Sequence, residues 1–343
     1  MTSSDWYTPF ETMSDQELRR YAWHDDTGNQ ASAIYRIPYS EQLEVGAVKI
    51  EGNPINQYSF REKDGQLQVL THIPNDQELY SRPNSLLGTV YFTALDLEWF
   101  DQRLYEHPSS NYTTISVNKP GSKLNRFIGD HLLYVNNIWG EGSEPDDVAD
   151  VHIFSTKAES VATSFITPNH IQQIQKTGQN ALLVGYADDD NLFMSSLRLD
   201  TDQRIVNSVT LDDLELSAFR SHGFSYKPNL DGGIFAIPLD IETAEGKTWK
   251  RENGIYYDLE PTTKILYTQL GNDLTMKELG ALEGSKEAIW TNNDDCKMSC
   301  VDWYGSSRPI FWDDRIFSLI KYELIEGVLK NEEISEVSRI YFK

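Results

Sequence analysis

Closely spaced carboxylates give the sequence its foremost candidate for metal chemistry. Asp188, Asp189, Asp190 and Asn191 follow an apolar run that ends at Tyr186. Carboxylate and amide oxygens are the ligands that Ca²⁺ takes, six to eight at a time. The loop lacks the glycine turn and the distal glutamate of an EF-hand, and acidic turns are common in an acidic protein. Asp188, Asp190 and Asn191 are therefore predicted to bind calcium or to form a solvated turn, and the sequence favours the turn.

The two cysteines lie close together in a stretch rich in Asn and Asp. Cys296 and Cys300 form a Cys-x-x-x-Cys pair. In an oxidising compartment they can close a disulfide across a short loop; the alternatives are two free thiols or half of a metal site. With no second Cys or His pair nearby, the zinc interpretation is weak. We predict that the two cysteines are bridged if the protein is exported.

Signatures of known catalytic machinery are missing from the sequence. There is no H-E-x-x-H, no Gly-rich phosphate loop, no G-x-S-x-G elbow and no pair of C-x-x-C motifs. The 7 histidines are scattered without ligand spacing. His222 is interpreted as a hydrogen-bonded histidine at a strand start rather than a catalytic residue. The sequence therefore names no catalytic residue and no cofactor beyond the calcium just considered, and it favours a protein that is not an enzyme.

The excess of acidic residues limits which molecules the protein is expected to bind. Lys and Arg number 30 and Asp and Glu number 53, so the formal net charge is -23. Such a surface repels the phosphates of nucleic acid and the headgroups of anionic lipid, which excludes nucleic acid as an expected partner. No run reaches the roughly 18 apolar residues of a membrane-spanning helix. The first residues show neither the basic nor the apolar region of a signal peptide.

Short β-branched and aromatic runs separated by Gly, Asp and Asn turns dominate the chain, which is typical of strands. Helical patterns are few. Ser14 and Glu17 form a Ser-x-x-Glu capping box that predicts a short helix over residues 15–23. Shorter helices are expected after Thr210 and Thr275, because each threonine has an acidic residue three positions on.

One pattern recurs five times: an apolar residue, a turn with Gly or Asp, and a strongly apolar strand. The turns are centred on Gly65, Asp130, Gly178, Gly233 and Asp314. Their shorter intervals are close to the roughly 40–50 residues of one four-stranded blade. The sequence predicts an all-β fold, a β-propeller of about five to seven blades, incomplete or completed by a partner. Residues 1–30 form an N-terminal segment with the short helix and residues 31–343 the propeller domain; a β-sandwich of unrelated hairpins is the alternative.

Several side chains are expected between the blades. Each apolar strand that follows a turn should lie inside its sheet, which predicts burial of Leu132, Tyr134, Leu182, Val184, Phe235 and Ile237. The large aromatic residues are interpreted as inter-blade packing or, in part, as a binding platform for sugar or peptide: Trp99, Tyr134, Trp139, Trp303, Tyr304 and Trp312. Asn56 and Gln57 are expected to satisfy backbone groups between blades.

Residues 55–71 carry a resemblance to a known family. They are similar to a line of the form L-N-Q-F-S-x-x-E-x-x-G-x-L-R-V-A-T-T in secreted bacterial and archaeal β-propeller-domain proteins distantly related to WD repeats. The residues kept are Asn56, Gln57, Ser59, Gly65, Leu67, Val69 and Thr71. Residues 124–135, 220–239 and 307–319 resemble further segments of that family in the same order. The likeness runs from about residue 31 to the end of the chain.

The resemblance implies a propeller fold and an exported setting, but no reaction. The family carries more blades and an export signal, for which this chain shows no room. We therefore predict a non-catalytic, extracytoplasmic binding or scaffold module that recognises a protein or glycan through a propeller face. The alternatives are a propeller-type hydrolase or lyase, with a site assembled at the central channel, and a structural subunit of an extracellular assembly. An open blade edge would recruit a second chain.

Overall fold

The computed structural model describes most of the chain from residue 31 onward. The described ranges are 31–37, 45–74, 88–101, 105–118, 121–138, 148–186, 191–200, 202–212, 214–216, 223–241, 249–252, 255–258, 262–285, 307–320 and 323–342. The predicted helix over 15–23, the pair Cys296 and Cys300, and His222 lie outside these ranges, so each of them stays a prediction. No helix within these ranges is long and apolar enough to cross a membrane.

The chain divides into two compact units, Met1–His170 and Ile171–Lys343. The first unit contains three sheets. The first sheet is β1 (Ala31–Arg36), β2 (Gly46–Glu51) and β7 (Tyr105–Glu106). The second is β3 (Asn53–Pro54), β4 (Phe60–Lys63), β5 (Gln66–Pro74), β6 (Gly88–Asp96) and β8 (Thr113–Asn118). The third is the four-stranded meander β9 (Lys123–Ile128), β10 (His131–Ile138), β11 (Val148–Ser155) and β12 (Ser160–Thr167). Short 3₁₀ turns cover Gln57–Ser59, Leu97–Asp101 and Ser109–Asn111.

The second unit contains three further sheets and one hairpin. The fourth sheet is β13 (His170–Thr177), β14 (Asn180–Tyr186), β15 (Leu192–Arg198) and β16 (Arg204–Leu211). The fifth is β17 (Leu214–Leu216), β18 (Ser225–Asn229), β19 (Gly232–Ile241), β22 (Thr262–Gly271) and β23 (Met276–Glu283). The hairpin is β20 (Trp249–Glu252) with β21 (Ile255–Asp258). The sixth sheet is β24 (Arg308–Trp312), β25 (Arg315–Ile320), β26 (Glu323–Lys330) and β27 (Glu333–Tyr341).

The five predicted turns each join two paired antiparallel strands: β4–β5, β9–β10, β13–β14, β18–β19 and β24–β25. In each pair the first strand lies at an edge of its sheet or off its main strand order, rather than both strands being inner ones. Asp64, Gly129, Gly178 and Asp313 open their turns in the left-handed region, with φ of 52, 57, 67 and 51°, which Gly and Asp tolerate better than other residues. The fifth turn is Leu230-Asp231, and Gly233 already lies in β19. A Cβ at Gly233 would fall 2.4 Å from Cζ of Tyr226. Glycine is therefore needed at 233 for packing rather than for the turn.

Successive sheets within each unit pack face to face and share a core. In the fifth sheet, Phe235 and Ile237 of β19 pack with Leu182 and Val184 of the fourth sheet. Ile234 and Ala236 of the same strand pack instead with the sixth sheet, against side chains that include Ile316 and Ile325. Since neighbouring residues of a strand point to opposite faces, β19 is buried on both sides. This is why the inner strands are continuous apolar runs rather than alternating ones.

The six interior residues predicted from the sequence are all buried. Leu132 and Tyr134 pack in the core shared by the second and third sheets, and the other four pack in the core shared by the fourth and fifth. Four-stranded antiparallel meanders stacked face to face are the blades of a β-propeller, and this is the fold class of the chain. Six sheets of three or more strands occur in the described ranges, within the predicted number of blades.

Two basic side chains tie a sheet to the hairpin turn of the next sheet. Arg61 in β4 and Lys227 in β18 each lie three residues before the turn of their own hairpin. The Arg61 guanidinium donates to the carbonyl of Gly129, and the Lys227 ammonium donates to the carbonyl of Asp313. Both acceptors are first residues of the neighbouring turn. The same tether is thus repeated at equivalent positions in the two units.

The Arg61 tether is embedded in a network between the second and third sheets. Arg61 also donates to Thr156 Oγ1 at 3.0 Å and to Gln68 Oε1 at 3.0 Å, and its guanidinium lies 4.6 Å from the centre of the Phe127 ring. Asp130 of the same turn accepts from Lys157 at 2.7 Å and from Lys63. These two cations, Lys157 first, lower the pKa of Asp130 to about 2.

The helix predicted after Thr275 is wrong. Residues 276–283 form β23, which pairs with β22. Thr275 instead hydrogen-bonds the Asp273 carboxylate through its backbone N–H at 3.0 Å and its hydroxyl at 2.7 Å. The acidic partner of Thr275 is therefore Asp273, two positions before it, and not Glu278, three positions after it. Asp273 and Thr275 form a turn between two strands. Burial of Leu279 and Leu282 against the sixth sheet outweighs the weak local helix preference.

We expect Arg61→Met to lower the free energy of unfolding by about 2 kcal/mol, because methionine keeps the apolar stem and leaves buried acceptors without their charged donor. Arg204→Met is the matched control, since among the described residues Arg204 pairs with the exposed Asp202 side chain, and its loss should change stability little. Urea unfolding of both variants measures the difference. Equal stability of the two variants would show that the tether contributes nothing.

Candidate functional site

The predicted calcium ligands are only partly within the described residues. Asp188 and Asp190 lie outside them, and Asn191 is a partly buried residue directly before β15. Within the described ranges no group of three His, Cys, Asp or Glu side chains is arranged to hold a metal ion. The calcium interpretation and the Cys296–Cys300 disulfide therefore remain predictions.

Asn56 has part of the role that the sequence predicts: it satisfies a backbone group of its own turn and contacts a side chain of the next sheet. Its side chain accepts from the backbone N–H of Tyr58 at 2.8 Å, which caps the 3₁₀ turn over Gln57–Ser59. Its Oδ1 also accepts from Asn125 Nδ2 in β9 at 3.1 Å, so it joins the second sheet to the third. Gln57 is exposed and makes no such link.

The aromatic residues separate into packing residues and one exposed residue. Tyr134 is fully buried, and Trp99 stacks on Tyr105 with ring centres 4.7 Å apart; both confirm the packing interpretation. Trp139, Trp303 and Tyr304 lie outside the described residues. Trp312 does not pack between sheets, because 69% of its surface is exposed. For Trp312 the platform interpretation is the one left, and it stays a prediction.

The end of β24 holds Trp312 out into solvent. The preceding residue, Phe311, packs into the core of the fifth and sixth sheets, with its ring 6.2 Å from that of Tyr267 in an edge-to-face contact. Because side chains alternate along a strand, fixing Phe311 inward directs Trp312 outward. Trp312 pairs in register with Arg315 across the turn Asp313-Asp314. The Trp312 side chain thus projects from a hydrogen-bonded strand rather than from a loop.

Leu230 is the most exposed large apolar residue described, at 97%. It opens the turn between β18 and β19, where Gly, Asn or Asp are usual. Its backbone is fixed on both sides: Asn272 Nδ2 donates to the Leu230 carbonyl at 3.1 Å, and the N–H of Asp231 donates to Asn229 Oδ1 at 3.0 Å. The turn is therefore ordered while the leucine side chain gains nothing from folding.

The turns that carry Leu230 and Trp312 are neighbours, because Lys227 of the first hairpin donates to Asp313 of the second. Three exposed carboxylates accompany the two apolar side chains. We call the set made of Leu230, Asp231, Trp312, Asp313 and Asp314 the hairpin-end surface. Lys227 Nζ lies 3.8 Å from Asp314 Oδ1, yet the Asp314 side chain stays fully exposed. The surface is apolar at its two anchors and acidic around them.

This arrangement combines groups that are suited to contact with a partner. It joins an exposed tryptophan, the residue type most enriched where binding energy concentrates, to an aliphatic side chain and to acceptor oxygens. Sequence reasoning considered Trp312 and missed Leu230. The signal was present: a lone leucine within Pro228-Asn229-Leu230-Asp231-Gly232, where every neighbour is a turn former and no apolar partner is close in sequence.

A second aromatic group, around His107, is buried in the first unit. The His107 ring lies 5.2 Å from the rings of both Trp99 and Tyr112, and the residue is 3% exposed. Thr93 Oγ1 donates to the Asn111 carbonyl, so at 2.7 Å it accepts from His107 Nε2. Nδ1 is then the unprotonated nitrogen, and it has no hydrogen-bond partner among the described residues. Burial lowers the pKa of His107, against a smaller opposing effect of Asp96.

The described sheets define a β-propeller, and the hairpin-end surface is an exposed, partly apolar and acidic patch on it. No protein-family model and no curated protein sequence matches the chain. Among solved structures, it is similar to Kluyveromyces lactis Hsv2 (10% identity, TM-score 0.41, 92% of this chain and 83% of that chain). It is also similar to apo AztD from Citrobacter koseri (11% identity, TM-score 0.31, 92% and 80%) and to the N-terminal domain of Nup159 (12% identity, TM-score 0.31, 81% and 64%). At TM-scores below 0.5 these similarities do not bear on function.

We expect the stability of the protein to fall as the pH drops below about 6.5, the ordinary pKa of histidine. The lowered pKa of folded His107 means that the unfolded chain binds its proton first, so the stabilisation is complete above that range and is lost as the pH falls through the folded pKa. One such group changes the free energy of unfolding by at most ~1.4 kcal/mol per pH unit. Urea unfolding from pH 8 to pH 5 should show a shallower slope for His107→Gln than for the partly exposed control His170→Gln. Parallel slopes for the two variants would contradict the assignment.

Proposed function

We propose that the chain is a non-catalytic binding or scaffold module that takes a protein or glycan on the hairpin-end surface. The observation that carries this proposal is the exposure of Trp312 and Leu230 on two ordered, neighbouring turns. Exposed apolar side chains on rigid backbone cost little entropy to immobilise on binding, which favours recognition. Propellers use such rims of turns as docking faces while the sheets supply stiffness.

The proposal includes an extracytoplasmic setting, at the cell surface or secreted. Its support is the sequence resemblance to secreted prokaryotic propeller proteins, and the Cys296–Cys300 pair would be compatible with an oxidising compartment. Fractionation of the source cells with an antibody to the chain tests the setting. Recovery of the chain only with soluble cytoplasmic markers would refute it.

Two single substitutions test the binding surface. Trp312→Ala should weaken partner binding by about thirtyfold and Leu230→Ser by about tenfold, as expected when an anchor is truncated at the centre of an interface. Ile340→Ser is the matched control, an exposed apolar residue of β27 in the same unit. Immobilised wild type and variants are offered surface and secreted proteins of the source cells and a glycan array. Saturable binding that all four proteins share equally would place the site elsewhere.

A structural-subunit role also has one observation in its favour. The edge strand β12 contains no charged residue, whereas edges are usually protected by charge, proline or a bulge. Its exposed Ile166 leaves an apolar side chain beside this edge, although a register irregularity opposite Ile153 and Phe154 bends it locally. In a chain of net charge -23, an uncharged edge is where a second chain meets least repulsion.

If a second chain pairs with β12, Ile166→Lys should remove concentration-dependent assembly, because a lysine on an edge strand opposes strand addition. Sedimentation velocity over a hundredfold concentration range provides the measurement, with Thr210→Lys on the edge strand β16 as the control. A wild-type protein that stays monomeric throughout would remove the support for this role.

A further inference from the structure

The charges around the hairpin-end surface distinguish it from the equivalent turns of the first unit. At the turns of β4–β5 and β9–β10, Asp130 is neutralised by both Lys63 and Lys157, and no large apolar side chain is exposed there among the described residues. At the hairpin-end surface, Lys227 is the one cation described beside the three carboxylates: its ammonium lies 3.8 Å from Asp314 Oδ1 and donates to the backbone carbonyl of Asp313. The surface therefore keeps an uncompensated negative charge next to its apolar anchors.

Two nearby cations among the described residues are engaged elsewhere. Arg315, which pairs with Trp312 across the turn, is committed to Glu326 through Nε at 2.8 Å and lies over the Phe317 ring. Lys277 of β23 is committed to Glu332. Another carboxylate, Asp273, stands in the turn whose Asn272 hydrogen-bonds the Leu230 carbonyl; it accepts from Thr275 and is stabilised by the charge of Arg198. A cationic partner would complement the negative charge of Asp231, Asp313 and Asp314.

The pairing of an aliphatic with an aromatic anchor favours a protein over a glycan. A sugar ring can stack on tryptophan and donate hydrogen bonds to the carboxylates, but it gains little from the fully exposed aliphatic Leu230. Leucine and tryptophan together match aliphatic or aromatic side chains of a polypeptide, and burying them adds about 25 cal/mol per Å² of apolar surface. The surrounding carboxylates match Lys or Arg on either side of such an anchor.

We propose that the hairpin-end surface binds a protein segment in which an aliphatic or aromatic anchor is flanked by Lys or Arg. This inference rests on the proposed function and adds the chemistry of the partner. The anchor covers Trp312 and Leu230, and the flanking cations meet Asp231, Asp313 and Asp314. Electrostatic attraction speeds the encounter and excludes acidic partners, while the apolar contact sets the lifetime of the complex.

The test uses a displayed library of random twelve-residue peptides, selected on the wild-type protein and counter-selected on Trp312→Ala. The expected pool is enriched in Lys and Arg beside Leu, Phe or Trp. The dissociation constant of a selected peptide should rise about tenfold in Asp313→Asn/Asp314→Asn, from the loss of two charge contacts. Raising the salt concentration from 50 to 500 mM should weaken the wild type more than this variant, because exposed charge contacts are screened.

A matched control separates local recognition from general attraction to an acidic protein. Asp64→Asn/Glu159→Gln removes the same two charges from exposed turns of the first unit, and should leave the dissociation constant within twofold. If both double variants weaken binding equally, the attraction is general and the inference is wrong. Thermal melts of all variants confirm that folding is unchanged.

The remaining outcomes distinguish the inference from the proposed function. Peptides that need Trp312 but show no excess of Lys or Arg would overturn the cationic partner and leave a binding surface in place. Glycans that bind through Trp312, with no peptide selected, would overturn the protein partner alone. If no bound peptide or glycan depends on Trp312 or Leu230, both the inference and the proposed function fail.

Discussion

Burial of the inner strands on both faces is the constraint on which the structure depends. Phe235 faces one inter-sheet core and Ile234 the other, so a sheet cannot satisfy its apolar surface without a neighbour on each side. Each core is shared, and a sheet with a neighbour on only one side would expose its other apolar face to water. The polar contacts add to this apolar packing. The tethers from Arg61 and Lys227 limit the sliding of one sheet on the next, because each joins a strand to the turn of the adjacent hairpin.

The same constraint explains which features could be predicted from the sequence. A strand buried on both sides must be an unbroken apolar run, and the turn beside it must contain residues that tolerate a positive φ. Both signals are local, so the turns near Gly65, Asp130 and Asp314 and the burial of Tyr134 and Val184 could be predicted. The helix expected after Thr275 failed for the opposite reason. Its capping pattern is also local, but pairing with β22 and packing on the sixth sheet decide the conformation of residues 276–283.

The hairpin-end surface was only half predictable, for a physical reason. Side chains alternate between the two faces of a strand. Whether an aromatic residue packs between sheets or points to solvent therefore depends on whether it shares a face with a neighbour that is fixed in the core. Phe311 and Trp312 are adjacent and similar in composition, and only the contact of Phe311 with Tyr267 determines which of them is exposed. Leu230 depends in addition on the register of β18 with β19, which places it at the turn rather than in a strand. The orientation of Trp312 is not encoded in a window of a few residues, whereas the turn formers around Leu230 were a local signal for its exposure.

A stiff, acidic scaffold favours one style of recognition. Because the sheets are tied to each other's turns, the turns are held in place without a partner, and binding need not order them. Net negative charge keeps copies of the chain and most acidic proteins apart, so an apolar surface can stay exposed without causing general aggregation. Leu230 and Trp312 are then tolerated because three carboxylates surround them, and those same carboxylates select which partner reaches the apolar surface. The charge that protects the surface is thus also the charge that gives it specificity.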